Sequence, residues 1–219
     1  MTDVRFNAYH MTSLIIALTI VFSSLAFLFS NEYRTFPHFI SEADVGLLPS
    51  LLFKGGFGLS SFAMTWMMVS STRRLVERKE TRPRQFAAMT LGSIAVLSLW
   101  FVIMYDLHSN IKIHTVAAGL CFISSILWTK VYGSAIGIES NLFRKGLSFS
   151  AGGCVAMTGA LLIAPNYSSH LDTNAYLDSI QHFIMVAAPA EFALVAGLLV
   201  SIYALGNEES EKNSESEKT

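Results

Sequence analysis

Residues 181–200 read QHFIMVAAPAEFALVAGLLV, an apolar stretch with one acidic residue, Glu191, near its middle. A helix of about 20 apolar residues is long enough to cross the hydrocarbon core of a bilayer. The stretch therefore predicts a membrane-spanning helix. A carboxylate inside such a helix is costly, so it is expected to face the protein interior and either pair with a cation or take up a proton. The partner of Glu191 has to come from the rest of the chain.

The same apolar character recurs along the whole chain. Of its 219 residues, 52% are hydrophobic and 14% are charged, whereas soluble domains carry about 25% charged residues. Six apolar runs are long enough to span a bilayer: Met11–Ser30, Gly46–Ser70, Phe86–Tyr105, His114–Ile138, Gly146–Ala164 and His182–Leu205. The sequence thus predicts an all-α, polytopic integral membrane protein, a bundle of six transmembrane helices.

Lys and Arg residues gather on one side of these predicted spans. Cytoplasmic loops of membrane proteins carry an excess of both residues. Eleven of them flank one side, whereas only Arg34 and Lys112 lie on the other. Both termini are therefore predicted to be cytoplasmic. Asn166, in the sequence Asn-Tyr-Ser, then falls on the luminal side as a candidate glycosylation site.

The apolar runs and the polar C-terminus divide the chain into two parts. Residues 1–205 are predicted to form a single six-helix transmembrane domain. The first run lacks a clear signal-peptide cleavage site and is interpreted as a retained helix. Residues 206–219 are rich in Glu, Ser and Lys and contain no aromatic residue. They are predicted to form a disordered polar cytoplasmic tail.

The loop between the second and third runs is strongly basic. It carries Arg73, Arg74, Arg78, Lys79, Arg82 and Arg84. A cytoplasmic basic loop of this kind attracts anionic lipid and offers a surface for a protein partner, although the positive-inside rule alone also explains it. The formal net charge of the chain is −1, and no basic patch suited to nucleic acid is visible, so nucleic-acid binding is not expected.

Lys54 is the predicted partner of Glu191. The two residues lie about 12 Å and about 14 Å from the luminal ends of their helices at about 1.5 Å per residue, so their depths match. Lys54 also belongs to a row of small and polar residues at helical spacing, which is typical of a helix–helix interface. The pair would either fix helix packing or form part of a polar pocket for a lipid headgroup.

Five of the six histidines map to luminal loops or luminal helix ends. Histidine and aspartate on one surface suit metal binding or acid–base chemistry. However, compact ligand spacing such as HExxH is absent, so neither a metal nor a cofactor is expected. One histidine begins a row at helical spacing that is predicted to face inward: His114, Ala118, Cys121, Ser125, Thr129 and Tyr132.

The segment FPHFISEADVGLLPSLLFKGGFGLSS, residues 36–61, resembles the first luminal loop and second helix of the FRAG/DRAM/SFK superfamily. The matching residues are Pro37, Ile40, Ser41, Pro49, Phe53 and Gly56. In that family the fourth helix opens with a histidine before small residues, as at His114. The last helix carries a histidine and later an acidic–aromatic pair, as at His182, Glu191 and Phe192.

The resemblance covers about residues 10–205 and implies six helices with a basic second cytoplasmic loop. The family includes lysosomal autophagy modulators and plasma-membrane regulators of phosphoinositide kinase complexes. It also includes Golgi or ER proteins that remodel the lipids of GPI anchors. The resemblance therefore implies lipid handling in an endomembrane (lysosome, ER or Golgi) or in the plasma membrane.

Three functions are compatible with these features. The favoured one is a non-enzymatic protein that binds or senses membrane lipid through a polar pocket in its luminal half and regulates a lipid-dependent process. Candidate pocket residues are Ser41, Lys54, His114, His182 and Glu191. The second is a lipid-remodelling enzyme acting on GPI-anchor or related phospholipids, with Glu191 or a histidine as base and Ser41 as nucleophile. The third is a trafficking scaffold whose polar residues are structural. Convergence of Ser41, His114, His182 and Glu191 around one opening would favour the first two.

Overall fold

The computed structural model describes residues 7–167 and 172–216, with side chains described as far as residue 208. All regular secondary structure in this part of the chain is helical. The α-helices are α1 (Ala8–Leu28), α2 (Leu47–Glu77), α3 (Arg82–Met104), α4 (Ile111–Ala135), α5 (Asn141–Ile163), α6 (Thr173–Ser179) and α7 (Gln181–Ser216). A 3-10 helix spans Ile40–Asp44. Six helices, all except α6, are long and apolar enough to cross a membrane, which confirms that the six apolar runs form long helices.

Five of these helices surround the interior of the bundle. Helices α1, α2, α3 and α4 follow one another around it, and α7 contacts both α4 and α1. Helix α5 lies outside this ring and packs along α7. The start of α1 and the later turns of α7 lie at the same end of the bundle, where the Asn7 side-chain amide donates to the Gly206 carbonyl oxygen over 2.9 Å.

Glycines bring the backbones of α5 and α7 into direct contact. A Cβ atom at Gly153 would lie 2.6 Å from the Leu194 nitrogen, and one at Gly197 would lie 2.6 Å from the Gly146 carbonyl oxygen. Small residues at matching positions are the usual way for membrane helices to approach this closely. The outward faces of the bundle, in contrast, expose large apolar side chains such as Phe62, as expected for surfaces that meet lipid.

The segment between α1 and α2, residues 29–46, folds over the end of the bundle opposite the chain termini and is called the cap segment below. Its Arg34 guanidinium lies 3.2 Å from Glu42 Oε2 within the segment and 2.7 Å from Asp178 Oδ1 on α6. The same guanidinium donates to Gln181 Oε1 on α7 over 2.8 Å. These contacts hold the cap segment, including its 3-10 helix, against α6 and α7.

The helical backbone of α7 continues to Ser216, whereas disorder is predicted from residue 206. Glu and Lys are good helix formers, and extending an existing helix avoids the cost of nucleating a new one. The composition of this segment is therefore polar enough to leave the membrane and still suitable for continuing a helix. Residues 217–219 lie outside the described residues.

Candidate functional site

A narrow internal cavity of about 80 Å³ lies between α1, α2, α3, α4 and α7, beneath the 3-10 helix of the cap segment. Most of its lining is apolar and comes from Ile, Leu, Val, Met and Phe side chains. Along α4 the lining runs from His114 to Thr129, which is about 22 Å at the helical rise. This length exceeds half of the hydrocarbon core of about 30 Å. The cavity therefore has the length and the lining that suit one lipid chain.

The polar end of the cavity is formed by Ser41, His114 and Glu191. Glu191 is 5% exposed, and its Oε2 accepts a hydrogen bond of 2.8 Å from the backbone amide of Ile40. The 3-10 helix of the cap segment thus supplies the donor that holds the carboxyl group. In the described part of the chain, the other oxygen, Oε1, has no hydrogen-bond donor.

His114 presents an unused ring nitrogen at the same end. Its Nδ1 lies 2.7 Å from the Tyr105 carbonyl oxygen. Because a carbonyl oxygen only accepts, Nδ1 carries the proton, and Nε2 of the neutral ring is an acceptor. The side chain is 2% exposed, and its Nε2 has no hydrogen-bond partner among the described residues. The end of the cavity therefore contains a buried acceptor that the described chain leaves unsatisfied.

Lys54 pairs with carboxylates outside the cavity, so the predicted Lys54–Glu191 ion pair is wrong. Its Nζ lies 3.5 Å from Asp44 Oδ1 and 3.6 Å from Asp106 Oδ2, and the Ser50 hydroxyl donates to Asp44 Oδ1 over 2.6 Å. Both acids come from segments that flank the helices, Asp44 from the 3-10 helix of the cap segment and Asp106 from the residues that follow α3. These three charged residues are called the ion cluster below.

The pKa values of both acids in the ion cluster are shifted. Burial raises the pKa of Asp44 to about 6, although Ser50 and Lys54 act in the opposite direction. Burial also tends to raise the pKa of Asp106, but the hydrogen bonds from Ser109 and the charge of Lys54 outweigh it, and the pKa is lowered. Asp44 is thus the member of the ion cluster whose charge is the most expensive to keep.

The remaining predicted residues lie away from the cavity. His182 is exposed near the start of α7, with its ring centroid 4.0 Å from that of Phe183. Asn166 is exposed between α5 and α6, whereas Ser168 of the same glycosylation sequence lies outside the described residues.

The basic residues between the second and third spans sit around a short connection. Arg73 and Arg74 belong to the last turns of α2, Arg78 and Lys79 to the connection, and Arg82 and Arg84 to the first turn of α3. All except Arg74 are exposed, and Arg84 lies 3.1 Å from Glu80. The exposed members therefore form a basic surface at the end of the bundle that also carries the chain termini.

The prediction that one face of α4 looks inward is confirmed for the residues that line the cavity. They are His114, Ala118, Cys121, Ser125 and Thr129. Trp128 also lines it, although the predicted row does not include it; at 100° per residue it lies about 60° from the centre of that face. Its side chain is 1% exposed, stacks on Tyr132 and leaves Nε1 without a hydrogen-bond partner among the described residues.

The Ser41 hydroxyl lines the polar end of the cavity without a hydrogen bond to a base among the described residues. A serine nucleophile needs a base within hydrogen-bond reach. In the part of the chain that the structure describes, no hydrogen bond joins the Ser41 hydroxyl to His114 or Glu191. What the site offers instead is a set of polar atoms directed at the end of an apolar channel.

No protein-family model, curated protein or solved structure matches the chain. Function is therefore argued below from the geometry of the cavity and from the residues that surround it. The resemblance to the FRAG/DRAM/SFK superfamily stays a prediction.

Proposed function

We propose that this chain is a multi-pass membrane protein that binds a membrane lipid inside its helix bundle and regulates a lipid-dependent process. The observation that carries the proposal is the long apolar cavity that ends at Glu191 and at the unsatisfied Nε2 of His114. Buried polar atoms are normally hydrogen-bonded. An amphiphile with its chain in the apolar part and its headgroup at the polar end satisfies both halves of this cavity.

The lipid chain requires the cavity to widen. Its volume is about 80 Å³, whereas an engineered cavity known to bind benzene, a smaller molecule than a lipid chain, has a volume of about 150 Å³. Met64, Met67 and Met68 line one wall, and methionine side chains repack easily because they are unbranched and have several rotatable bonds. Occupancy therefore changes the packing between α2 and its neighbours, which provides a way to report a bound lipid.

The basic surface between α2 and α3 supports a regulatory output. With both termini on the cytoplasmic side, as the Lys and Arg distribution predicts, this surface faces the cytoplasm. It then contacts anionic lipid or a protein partner, while the polar end of the cavity faces the lumen or the exterior. The resemblance to the FRAG/DRAM/SFK superfamily agrees with regulation of the autophagy or phosphoinositide-signalling type in an endomembrane or the plasma membrane.

A lipid-remodelling enzyme is the second candidate. It is favoured by the fact that Ser41, His114 and Glu191 line the same cavity, where bound lipid would allow them to approach each other. Remodelling of a GPI-anchor or related phospholipid by the purified protein, and its loss in Ser41→Ala, would support the enzyme over the regulator. Three of the four residues expected to converge line the cavity, whereas His182 does not; this partial convergence favours either lipid function over a scaffold with purely structural polar groups.

Two neighbouring positions on α4 provide the test of lipid binding. Ala118 lines the cavity, whereas a Cβ at Gly119 would meet no atom within 4 Å. Ala118→Leu adds three carbons to the cavity, and Gly119→Leu adds a larger side chain to open space. Protein purified from membranes should retain a stoichiometric lipid in the wild type and in Gly119→Leu, measured by native mass spectrometry, and should lose it in Ala118→Leu. Equal lipid retention in all three proteins would contradict the proposal.

A further inference from the structure

We infer that the lipid headgroup held at the polar end of the cavity is a hydrogen-bond donor without negative charge, a hydroxyl or an ammonium group, on a single hydrocarbon chain. The inference rests on the proposed function and specifies its ligand. It excludes fatty acids and phosphate-headed lipids from this site. It follows from which atoms the polar end presents and from where the neighbouring cations are engaged.

His114 contributes an acceptor. Its Nδ1 proton is used by the Tyr105 carbonyl oxygen, and so the buried Nε2 bears a lone pair. An anionic headgroup brings only further lone pairs to this atom. A hydroxyl or ammonium hydrogen, in contrast, satisfies it directly.

Glu191 contributes a second acceptor. Its Oε2 is occupied by the Ile40 amide, whereas Oε1 has no donor in the described part of the chain. An anionic headgroup beside this carboxyl group would have no cation to pair with among the described residues that line the cavity, and an unpaired charge in an apolar interior is costly. A donor from the ligand stabilises the carboxyl group instead.

Two cations at this end of the bundle are engaged elsewhere, and a third, Lys112, is exposed at the start of α4 and does not line the cavity. Arg34 is bound by Glu42 and Asp178, and Lys54 is bound by Asp44 and Asp106. Among the described residues that line the cavity, none is Lys or Arg. The cavity therefore has no counter-ion for a carboxylate, sulfonate or phosphate headgroup.

The length of the cavity favours one chain over two. Its lining along α4 covers about 22 Å, and the width is limited by side chains from five helices. With the headgroup at Glu191, the far end of the chain lies beside Trp128. A two-chain phospholipid would have to separate these helices along their whole length.

Three matched probes of equal chain length test the headgroup in the full-length protein in nanodiscs. They are hexadecanol, hexadecylamine and hexadecanesulfonate, each carrying a photoreactive diazirine at the end of the chain. Hexadecanol or hexadecylamine should label the protein with at least about tenfold higher apparent affinity than the sulfonate, since leaving buried acceptors without a donor changes affinity by about that factor. Comparison of the first two probes identifies hydroxyl or ammonium as the preferred donor. Fragment ions should place the label near Trp128 and not near His114.

Glu191→Gln provides the sharper arm of this test. The glutamine carbonyl oxygen still accepts from Ile40, but the other position becomes an NH₂ donor. The preference for the donor probes over the sulfonate should fall by about tenfold, whereas Glu77→Gln, an exposed change at the end of α2, should leave it unchanged. If Glu191→Gln does not fold, the ranking of probes on the wild-type protein decides alone.

The outcomes separate the ligand class from the proposed function. If all three probes label equally and Ala118→Leu abolishes labelling, the protein binds lipid in the cavity but the headgroup inference is overturned. A preference for the sulfonate, or labelling near His114, also overturns it. If no probe labels the cavity, the proposed function and the inference both fall.

Discussion

Two faces of α7 differ in how tightly they are packed. On the face towards α5, Gly197 packs against Gly146 and Ser150, so the two backbones touch and leave no space between them. On the face towards the interior of the bundle, Glu191 and Val195 line a cavity. This face carries larger side chains but is packed less tightly. One helix therefore carries a packed face that stabilises the bundle and an open face with unsatisfied polar atoms.

The difference between the two faces distinguishes polar and small residues that pack helices together from residues that suit a bound ligand. On the packed face, the Ser201 hydroxyl is satisfied by the Gly197 carbonyl oxygen on its own helix. On the open face, the carboxyl group of Glu191 has one backbone donor and an unused oxygen. Polar groups enclosed where two backbones touch indicate packing, even though one of them, the Ser150 hydroxyl, has no hydrogen-bond partner among the described residues. Unsatisfied acceptors beside empty volume indicate a ligand. Larger side chains should destabilise the packed face, whereas the open face should accommodate them.

The largest expected effect is a substitution on the packed face. Gly153→Leu places a side chain against the Leu194 nitrogen and the Ala190 carbonyl oxygen, which forces α5 and α7 apart. We expect a loss of stability of about 3 kcal/mol or more, seen as a lower thermal midpoint in detergent or as failure to accumulate. Gly152→Leu is the matched control, because a Cβ at Gly152 meets no atom within 4 Å. Equal losses in the two variants would show that the faces of α5 do not differ in packing.

A second, smaller effect tests whether the open face depends on the ion cluster. Lys54→Met leaves the buried Asp44 beside Asp106 without a cation, and we expect a loss of about 1–2 kcal/mol, reduced from the usual value for a buried pair because Lys54 is 40% exposed. Adding Asp44→Asn should recover much of this loss. Adding Glu191→Gln should be additive within about 0.5 kcal/mol, since Glu191 is held by a backbone amide. If Glu191→Gln instead recovered the lost stability, Glu191 would be the partner of Lys54, and the open face and the ion cluster would not be separate.

The smallest effect is a pH dependence of the ion cluster. Burial raises the pKa of Asp44 from 3.8 to about 6, so the folded protein binds this proton more tightly than the unfolded chain does. The contribution of Asp44 to stability is therefore greatest below about pH 4 and decreases as pH rises towards about 6. We expect the thermal midpoint of Asp44→Asn relative to wild type to increase between pH 4.5 and about pH 7. A constant difference across this range would show that Asp44 is not titrating there.

The helices and one face of the cavity could be predicted from the sequence, because hydropathy and spacing report directly on them. Six long apolar runs correspond to six helices that are long and apolar enough to cross a membrane, and the row beginning at His114 lines the cavity as its spacing predicts. Both properties depend on residues within one helix. They do not require knowledge of how the connecting segments fold.

The partner of Glu191 could not be predicted in this way. Depth along the membrane is one coordinate, and it gave Lys54 and Glu191 similar values without showing that acids from flanking segments lie nearer to Lys54. The actual donor is the backbone amide of Ile40. Every residue except proline has such an amide, so only the folded position of the cap segment identifies it.

An experimental density map of the wild-type protein in lipid nanodiscs tests the central claim most directly. If the open face of α7 borders a lipid site, elongated density should run from Glu191 and His114 towards Trp128 inside the bundle. The α5–α7 interface should show no such density, because its backbones are in contact. Lipid density confined to the outer surface of the bundle, with the cavity closed by repacked side chains, would contradict the account.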